Sequence, residues 1–547
     1  MKRPELCIGI DVGTSSLKAL AVSRDGSVVA TASVEYEFDS PRPGWAETHP
    51  DIWWRATCEA LRNLTSHDAV LAGDIVSVGL AGQMHGLVII DSDNRPIRPA
   101  IMWNDQRTAE VCKKVEREIT AAEIWRLTGN RLLPGFTAPK LLWLMQHETE
   151  TMRCAKRIML PKDYVRLRLT GAIHTDMADA SGTLLLDCEN RRWSKEMCEA
   201  LSIDTALLPE LFESTTPSSR VHADGAAATG LPAGTIVVAG AGDQAAQAVG
   251  TGITSEGSVA CTVGTSGVIF ATTNEWRPTP HGVLHSFCHA IPNRWHLMGV
   301  TLSAGGSLRW WRDAMCEDLV ASARIQGVDP YELMLNQAES APFGCEGAIF
   351  LPYLSGERTP HADPNARGTF VGISTRTTRA HLTRAILEGV TCSLREVLAL
   401  VRQTGARADR IRLSGGGARN RFWRQLMTDA FDLPTATVEQ TDGAAYGSAL
   451  IAGVGAGLWS NIDSATAHIK ESNSTRVGPD AAYFPALARK YAHAYSALAP
   501  WFAEQSAEQS AQSRSSAGFD RWRFPRRRRE RNTPILHPFS ARHDSWG

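Results

Sequence analysis

The stretch IGIDVGTSSLKALAV (residues 8–22) has a counterpart in VACTVGTSGVIFAT (259–272). In both, an apolar run leads through Val-Gly-Thr-Ser (12–15 and 263–266) into a second apolar run. That is the pattern of a β-hairpin with a small polar tip. A single match of four small residues carries little weight. Two such hairpins in matching contexts, one near the start of each half, indicate a duplicated domain. The expected boundary lies near 248, which divides the chain into an N-terminal domain 1–247, a C-terminal domain 248–500 and a tail 501–547.

Working outward, IVSVGLA (75–81), LVIID (87–91) and TIVVA (235–239) read as further strands. DIWWRATCEALRNL (51–64) reads as a helix with Asp51 at its N-cap, and 411–432 as strand, glycine loop and amphipathic helix. Strands mixed with helices in this way predict an α/β fold. With 547 residues, 43% hydrophobic and 21% charged, the chain has room for two cores. A net charge of −1 gives no global attraction to nucleic acid or membrane, and neither partner is expected. No apolar run reaches membrane-spanning length, and the start MKRPELCIGID has no signal-peptide core. The eleven cysteines never occur as CxxC, which suits reduced thiols in a cytoplasmic protein. SAEQSAQSRSSAG and RWRFPRRRRER (521–531) cannot bury a core, so the tail is expected to be disordered and to carry no function.

A Gly-Thr-Ser tip offers backbone N–H groups and hydroxyls with no bulky side chain in the way, which suits phosphate oxygens. Either tip alone is as well explained as a tight turn. The pair, on opposite halves, points to a phosphate gripped across a cleft. SGGGARN (414–420), after a strand and before a helix, is a candidate platform for a nucleotide base, with the small-residue helix AAYGSALIAGVGAG (444–457) packed behind it. Asp11 ends the first strand of the first hairpin, and Asp243 follows TIVVAGAG. A carboxylate so placed can hold Mg²⁺ through water or take a proton from an attacking hydroxyl. For Asp243 a helix N-cap is the plainer alternative, although a cap does not explain the glycines around it. In AGQMHG (81–86), Met84 and His85 are pocket candidates. In IMWNDQR (101–107), Trp103 and Asp105 suit a polyol as well as they suit a surface turn with a core tryptophan.

Together these motifs resemble the FGGY family of carbohydrate kinases over about residues 6–500. The blocks that carry the resemblance are IGIDVGTSSLK (8–18), AGQMHG (81–86), WND (103–105), PGFTAPKLLWL (134–144), LPKDYVRLRLTG (160–171), GAGDQAA (240–246), VGTSG (263–267), HSFCHA (285–290), WHLMGV (295–300), FLPYLSGERTPH (350–361), LEGV (387–390) and GGGARN (415–420). The resemblance implies two similar actin/hexokinase-like (ribonuclease H-like) domains around a catalytic cleft. It implies transfer from MgATP to the terminal hydroxyl of a pentulose, D-xylulose first, by a protein that can form a homodimer. Another pentulose or an alditol is the nearest alternative, and an idle actin-like ATP-binding regulator a more distant one. By the same resemblance Asp243 is the general base, and Asp11 the second essential carboxylate near Mg²⁺. Met84, His85 and Gln244 contact the sugar, beside the Trp103 and Asp105 that the local reading already offers for a polyol. Thr14, Ser15, Gly264 and Thr265 hold the phosphates, while Gly305, Gly416 and Asn420 lie around the nucleoside. Gln244 departs from the usual asparagine and reaches one methylene further, which bears on sugar preference.

Overall fold

The computed structural model describes residues 3–516 apart from 72 and 441. The first seven-stranded sheet runs in the order β5-β6-β4-β1-β2-β3. Its strands are β1 (Glu5–Val12), β2 (Ser16–Ser23), β3 (Val28–Glu35), β4 (Asp74–Gly82), β5 (Pro217–Arg220) and β6 (Ile236–Val238). A short β7 (Ala241–Gly242) also pairs with β4. The second sheet contains β8 (Gly257–Val263), β9 (Gly267–Thr273), β10 (His285–Cys288), β11 (Trp295–Thr301), β12 (Ala408–Ser414), β13 (Thr435–Val438) and β14 (Glu471–Thr475). Its order is β10-β11-β9-β8-β12-β13-β14.

The two sheets share one plan. In each, the first strand pairs antiparallel with the second across the Gly-Thr-Ser tip, and the second with a third. On its other side the first strand has a parallel partner, then a second parallel strand, then an antiparallel edge. The α/β duplication expected from the hairpins is therefore present in strand order and direction. Each sheet is covered by helices and has its own buried aliphatic and aromatic core. Central strands such as CIGI (7–10) are buried on both faces, which is why they read as continuous apolar runs.

The helices include α1 (Pro50–Thr65), α2 (Asp243–Gly250), α3 (Gly305–Met315), α4 (Arg421–Phe431), α5 (Gly443–Gly455) and α6 (Phe484–Ser516). Three expectations change here. Asp51 is not the cap of α1. Pro50 opens the helix and His49 caps it, accepting from the Asp51 N–H, while the Asp51 carboxylate binds Tyr164 and Arg168. The small-residue helix α5 does not sit behind the glycine loop 414–420. It crosses to the first sheet and packs on β1, β4 and α2, where Gly9, Gly79, Gly250 and Gly447 leave no room for a Cβ against the facing backbone. Finally, α6 continues past 501, with Phe502 buried in the second core, so the ordered part extends further than the polar composition indicates. The arginine-rich run 521–531 lies outside the described residues.

Candidate active site

Three parallel strands end side by side. Asp11 of β1 is in register with Ala81 of β4, and Ala81 with Ala241 of β7. This edge of the first sheet therefore delivers Asp11, the Gln83–His85 turn and Asp243 to one place, as expected where parallel strands end in an open α/β sheet. Asp243 is the first residue of α2; the cap position is Gly242, which has no side chain to cap with. Asp243 Oδ1 accepts the Gln244 N–H at 2.7 Å. Burial lifts the Asp243 carboxyl to about 6, although its bonds to Gln244 favour the ionised form. Burial, followed by the charge of Asp243, lifts Asp11 to about 7. Lys18 opposes that rise, but it is already paired with Asp442 at 2.6 Å.

The two carboxylates fit a magnesium ion. Asp11 Oδ1 is enclosed with no hydrogen-bond partner among the described residues. Among the described residues no group of three or more His, Cys, Asp or Glu side chains forms a cage. That donor set suits a hard cation held by one or two carboxylates, with water and phosphate completing its shell.

The predicted sugar residues divide. The Met84 side chain lies against Gly242, where a Cβ would stand 2.8 Å from Met84 Cγ. His85 has a left-handed backbone (φ +68°), held by Lys140 Nζ and Thr137 Oγ1, which donate to its carbonyl at 2.8 and 3.0 Å. Its Nδ1 is 2.7 Å from the Gly182 carbonyl oxygen. Burial holds this imidazole neutral, at about 3. Trp103, 39% exposed, donates its indole N–H to Thr14 Oγ1 at 2.9 Å and so ties its loop to the first tip. Gln244 is half-buried beside Asp243. Asp105 has a different job from the one expected. It is fully buried, and its oxygens accept the Ala46 N–H at 2.6 Å and the Arg107 guanidinium at 2.7–3.0 Å. No oxygen of Asp105 remains for a sugar; it positions the loop that carries Trp103.

Of the residues expected to hold phosphate, Ser15 and Thr265 are exposed at the two tips, and Thr14 and Gly264 are half-buried beside them. The tip turns close through Gly13 N–H to Ser16 O and Gly264 N–H to Ser266 O, each at 3.0 Å. The start of α3 clamps the second tip: Gly305 N–H donates to Gly264 O at 2.8 Å and Gly306 N–H to Thr265 O at 3.0 Å. A Cβ at Gly305 would stand 2.6 Å from that Gly264 oxygen, so this glycine serves close packing under the tip. Gly415, at φ +82°, lays the glycine loop against the end of β8, and Gly416 faces open space. Asn420 also has a structural role. Its Oδ1 accepts the Trp423 N–H at 3.1 Å and caps α4.

Several positioning residues had no sequence signal of their own. Tyr36 and Gln83 donate to the Gly13 carbonyl at 2.6 and 3.0 Å and pin the first tip. Lys140, fully buried, bridges the carbonyls of His85 and Gly135. Lys162 is buried among Asp163, Asp176 and Asp179 at 2.7–3.0 Å, just ahead of the Gly182 that holds His85. Lys140 and Lys162 lie in blocks that carry the resemblance, and this was the available hint.

Two lobes of one plan, each with a Gly-Thr-Ser tip and the first with paired acids at its strand edge, have the parts of a phosphoryl-transfer protein. Residues 6–250 match the N-terminal domain of the FGGY family of carbohydrate kinases and residues 259–456 its C-terminal domain, so the chain belongs to that family. Among curated relatives, it is 40% identical to the xylulose kinase of Escherichia coli (strain K12) over 422 residues, 77% of this chain and 84% of that one. It is 39% identical to the xylulose kinase of Bacillus subtilis (strain 168) over 456 residues, 83% of this chain and 89% of that one. Among solved structures, the ligand-bound xylulose kinase from Lactobacillus acidophilus superposes with a TM-score of 0.85 at 27% identity, covering 91% of this chain and 99% of that one. Among the described residues no helix is long and apolar enough to cross a membrane.

Proposed function

We propose that this protein transfers the γ-phosphoryl group of ATP to the terminal hydroxyl, O5, of D-xylulose, with Asp243 as the base. The observation that carries the reading is the half-buried Asp243 carboxyl, raised to about 6, at the strand edge it shares with Asp11. The names of the curated relatives support the substrate.

The sugar binds at the Met84–His85 wall with its terminal hydroxyl toward Asp243. The tips around Thr14, Ser15, Gly264 and Thr265 hold the polyphosphate through N–H groups and hydroxyls. As O5 attacks the γ-phosphorus, the bond from phosphorus to the β–γ bridging oxygen breaks and ADP leaves. Asp243 Oδ takes the O5 proton. Near neutral pH a carboxylate with pKa about 6 is mostly ionised, yet more basic than an exposed aspartate, which suits it to accept that proton. Asp11 and Asp243 are the residues that would hold magnesium, and the chemistry this ion supplies is neutralisation of polyphosphate charge. The greater part of catalysis is then positioning and electrostatic stabilisation.

The test is coupled ADP release with MgATP and a panel of D-xylulose, L-xylulose, D-ribulose, D-arabinitol, xylitol and glycerol, for wild type and Asp243→Ala. Turnover that depends on D-xylulose and falls about 10³-fold or more in the variant is expected. Preference for another member of the panel, again lost in the variant, moves the substrate, with Gln244 as the reason. ADP release that ignores every sugar overturns the reading.

A further inference from the structure

Arg358 lies in the GERTPH segment (356–361), in the C-terminal half, and its loop is held firmly. Thr359 N–H donates to Val300 O at 3.0 Å, and Thr359 Oγ1 accepts the Val300 N–H at 3.2 Å. Glu357 accepts from Thr301 Oγ1, the Leu302 N–H and the Arg358 N–H at 2.7, 3.0 and 2.7 Å. The Arg358 guanidinium is different. It is half-buried, and among the described residues it has neither a hydrogen bond nor an ion pair. Several enclosed arginines hold a carboxylate, Arg107 with Asp105, Arg166 with Asp163, Arg191 with Glu213 and Arg384 with Glu388, and buried Arg424 donates to the carbonyls of Ala418 and Arg419. The adjacent Glu357 charge favours this cation, but the Glu357 oxygens are taken by Thr301 and by the Leu302 and Arg358 N–H groups. A guanidinium kept from bulk water with no hydrogen bond is costly, and it is retained where a ligand supplies the acceptor.

The neighbourhood identifies that ligand. Arg358 is near the strand pair that carries His285, since β11, which holds its loop, pairs His285 with Met298. His285 stacks on Phe287 at 5.4 Å, and His85 meets Phe287 at 6.2 Å and Phe136 at 4.8 Å. The Arg358 charge helps to keep both His85 and His285 neutral. With its loop bound to β11, whose neighbour β10 carries His285 and Phe287, Arg358 lies on the side of the His85 ring. His85 adds a constraint of its own. A carbonyl oxygen can only accept, so the 2.7 Å contact with Gly182 O requires the proton on Nδ1. In the neutral ring Nε2 is then an acceptor only, and it has no partner among the described residues.

We propose that Arg358 is a specificity-determining residue that donates to the ketone oxygen of the sugar, at the end opposite the hydroxyl that receives phosphate, while His85 Nε2 accepts from a neighbouring sugar hydroxyl. One wall thus presents a donor that cannot accept and an acceptor that cannot donate. The pair matches a carbonyl next to a hydroxyl, the 2-keto-3-hydroxy end of a pentulose. This inference rests on the proposed sugar-kinase reading.

Arg358→Gln and Arg358→Lys test it, with steady-state kinetics on D-xylulose, on xylitol, which lacks the carbonyl, and on ATP. Loss of one hydrogen bond from a charged donor is expected to raise KM for D-xylulose about 10- to 100-fold in R358Q. The kcat should stay within a few-fold, and KM for ATP should be unchanged. Xylitol kinetics should change less than those of D-xylulose, and R358K should recover part of the loss. Unfolding midpoints of both variants show whether the fold is intact. An unchanged KM for D-xylulose, equal losses on both sugars, or a fall confined to kcat overturns the role of Arg358 while wild-type turnover leaves the kinase reading standing. Wild-type protein that turns over no pentulose overturns both.

Discussion

Asp11 and Thr262 occupy the same place in the two lobes. Each lies one residue before the Val-Gly-Thr-Ser tip, on the first strand of its hairpin, beside a parallel strand. In the first lobe the residue is an acid with an enclosed, unpartnered oxygen and a pKa pushed to about 7. In the second it is a hydroxyl inside a neutral network: Thr262 Oγ1 is 2.8 Å from Ser414 Oγ and accepts from Gln247 Nε2 at 3.2 Å. Gln247 is one turn along α2 from Asp243. The same backbone unit thus has two kinds of chemistry. One copy stores negative charge that requires a cation or a proton. The other is neutral, so a polyphosphate can approach it without repulsion. Duplication supplied the cradle twice, and side chains then made the halves unequal.

The strongest way to break this asymmetry is at the acid. Asp11→Asn is expected to lower kcat/KM by about 10²- to 10³-fold. The same change should raise the stability of the unliganded protein. Asp11 has a folded-state pKa of about 7 against an ordinary 3.8, so the folded form holds its proton more tightly than the unfolded chain does. Wild-type stability therefore falls as pH rises from about 4 to about 7 through this group, and Asn removes that loss. Melting curves should place D11N above wild type at pH 8 and level with it at pH 4. A lower midpoint at pH 8 would mean that Asp11 is a structural anchor. In the same variant the acid limb of kcat/KM should report Asp243 alone, near pH 6, where wild type shows the pair's apparent values between 6 and 7.

The complementary change gives the second lobe an acid. Thr262→Asp should raise KM for ATP about 10- to 100-fold by setting like charge against the phosphates, with KM for the sugar nearly unchanged. Isothermal titration with ATP measures this directly, and unaltered affinity would show that the lobes are not divided by charge. The third expected effect is smaller and falls on the seam between the lobes. Gly447 of α5 sits directly on the Ala246 carbonyl of α2. Gly447→Ala should cost about 1–3 kcal/mol of stability by overpacking. Because α2 begins with Asp243, kcat should also fall several-fold; denaturant titration together with kinetics checks both.

The split in legibility follows from the range of the forces involved. Hairpin tips, the apolar strands leading into them and the glycine-flanked start of α2 depend on neighbours within a few residues. The sequence alone was therefore enough to show the duplication, the two tips, and Asp11 and Asp243 as the acids to examine. Whether a polar side chain is free or occupied depends on partners far along the chain. Asp105 reads like a sugar ligand until Ala46 and Arg107 are seen to saturate it. Asn420 reads like a nucleotide contact, and only the structure shows that its Oδ1 also caps α4. The helix α5 carries the composition of a close-packed helix but no indication that it docks on the other half of the chain. Lys140 under His85 and the unpartnered Arg358 are visible only once residues 55 positions apart, or on opposite halves, come together. Local patterning determined the architecture and the acids. Tertiary contact decided which charges are neutralised and which remain open to a ligand, because pairing is set by distance in space.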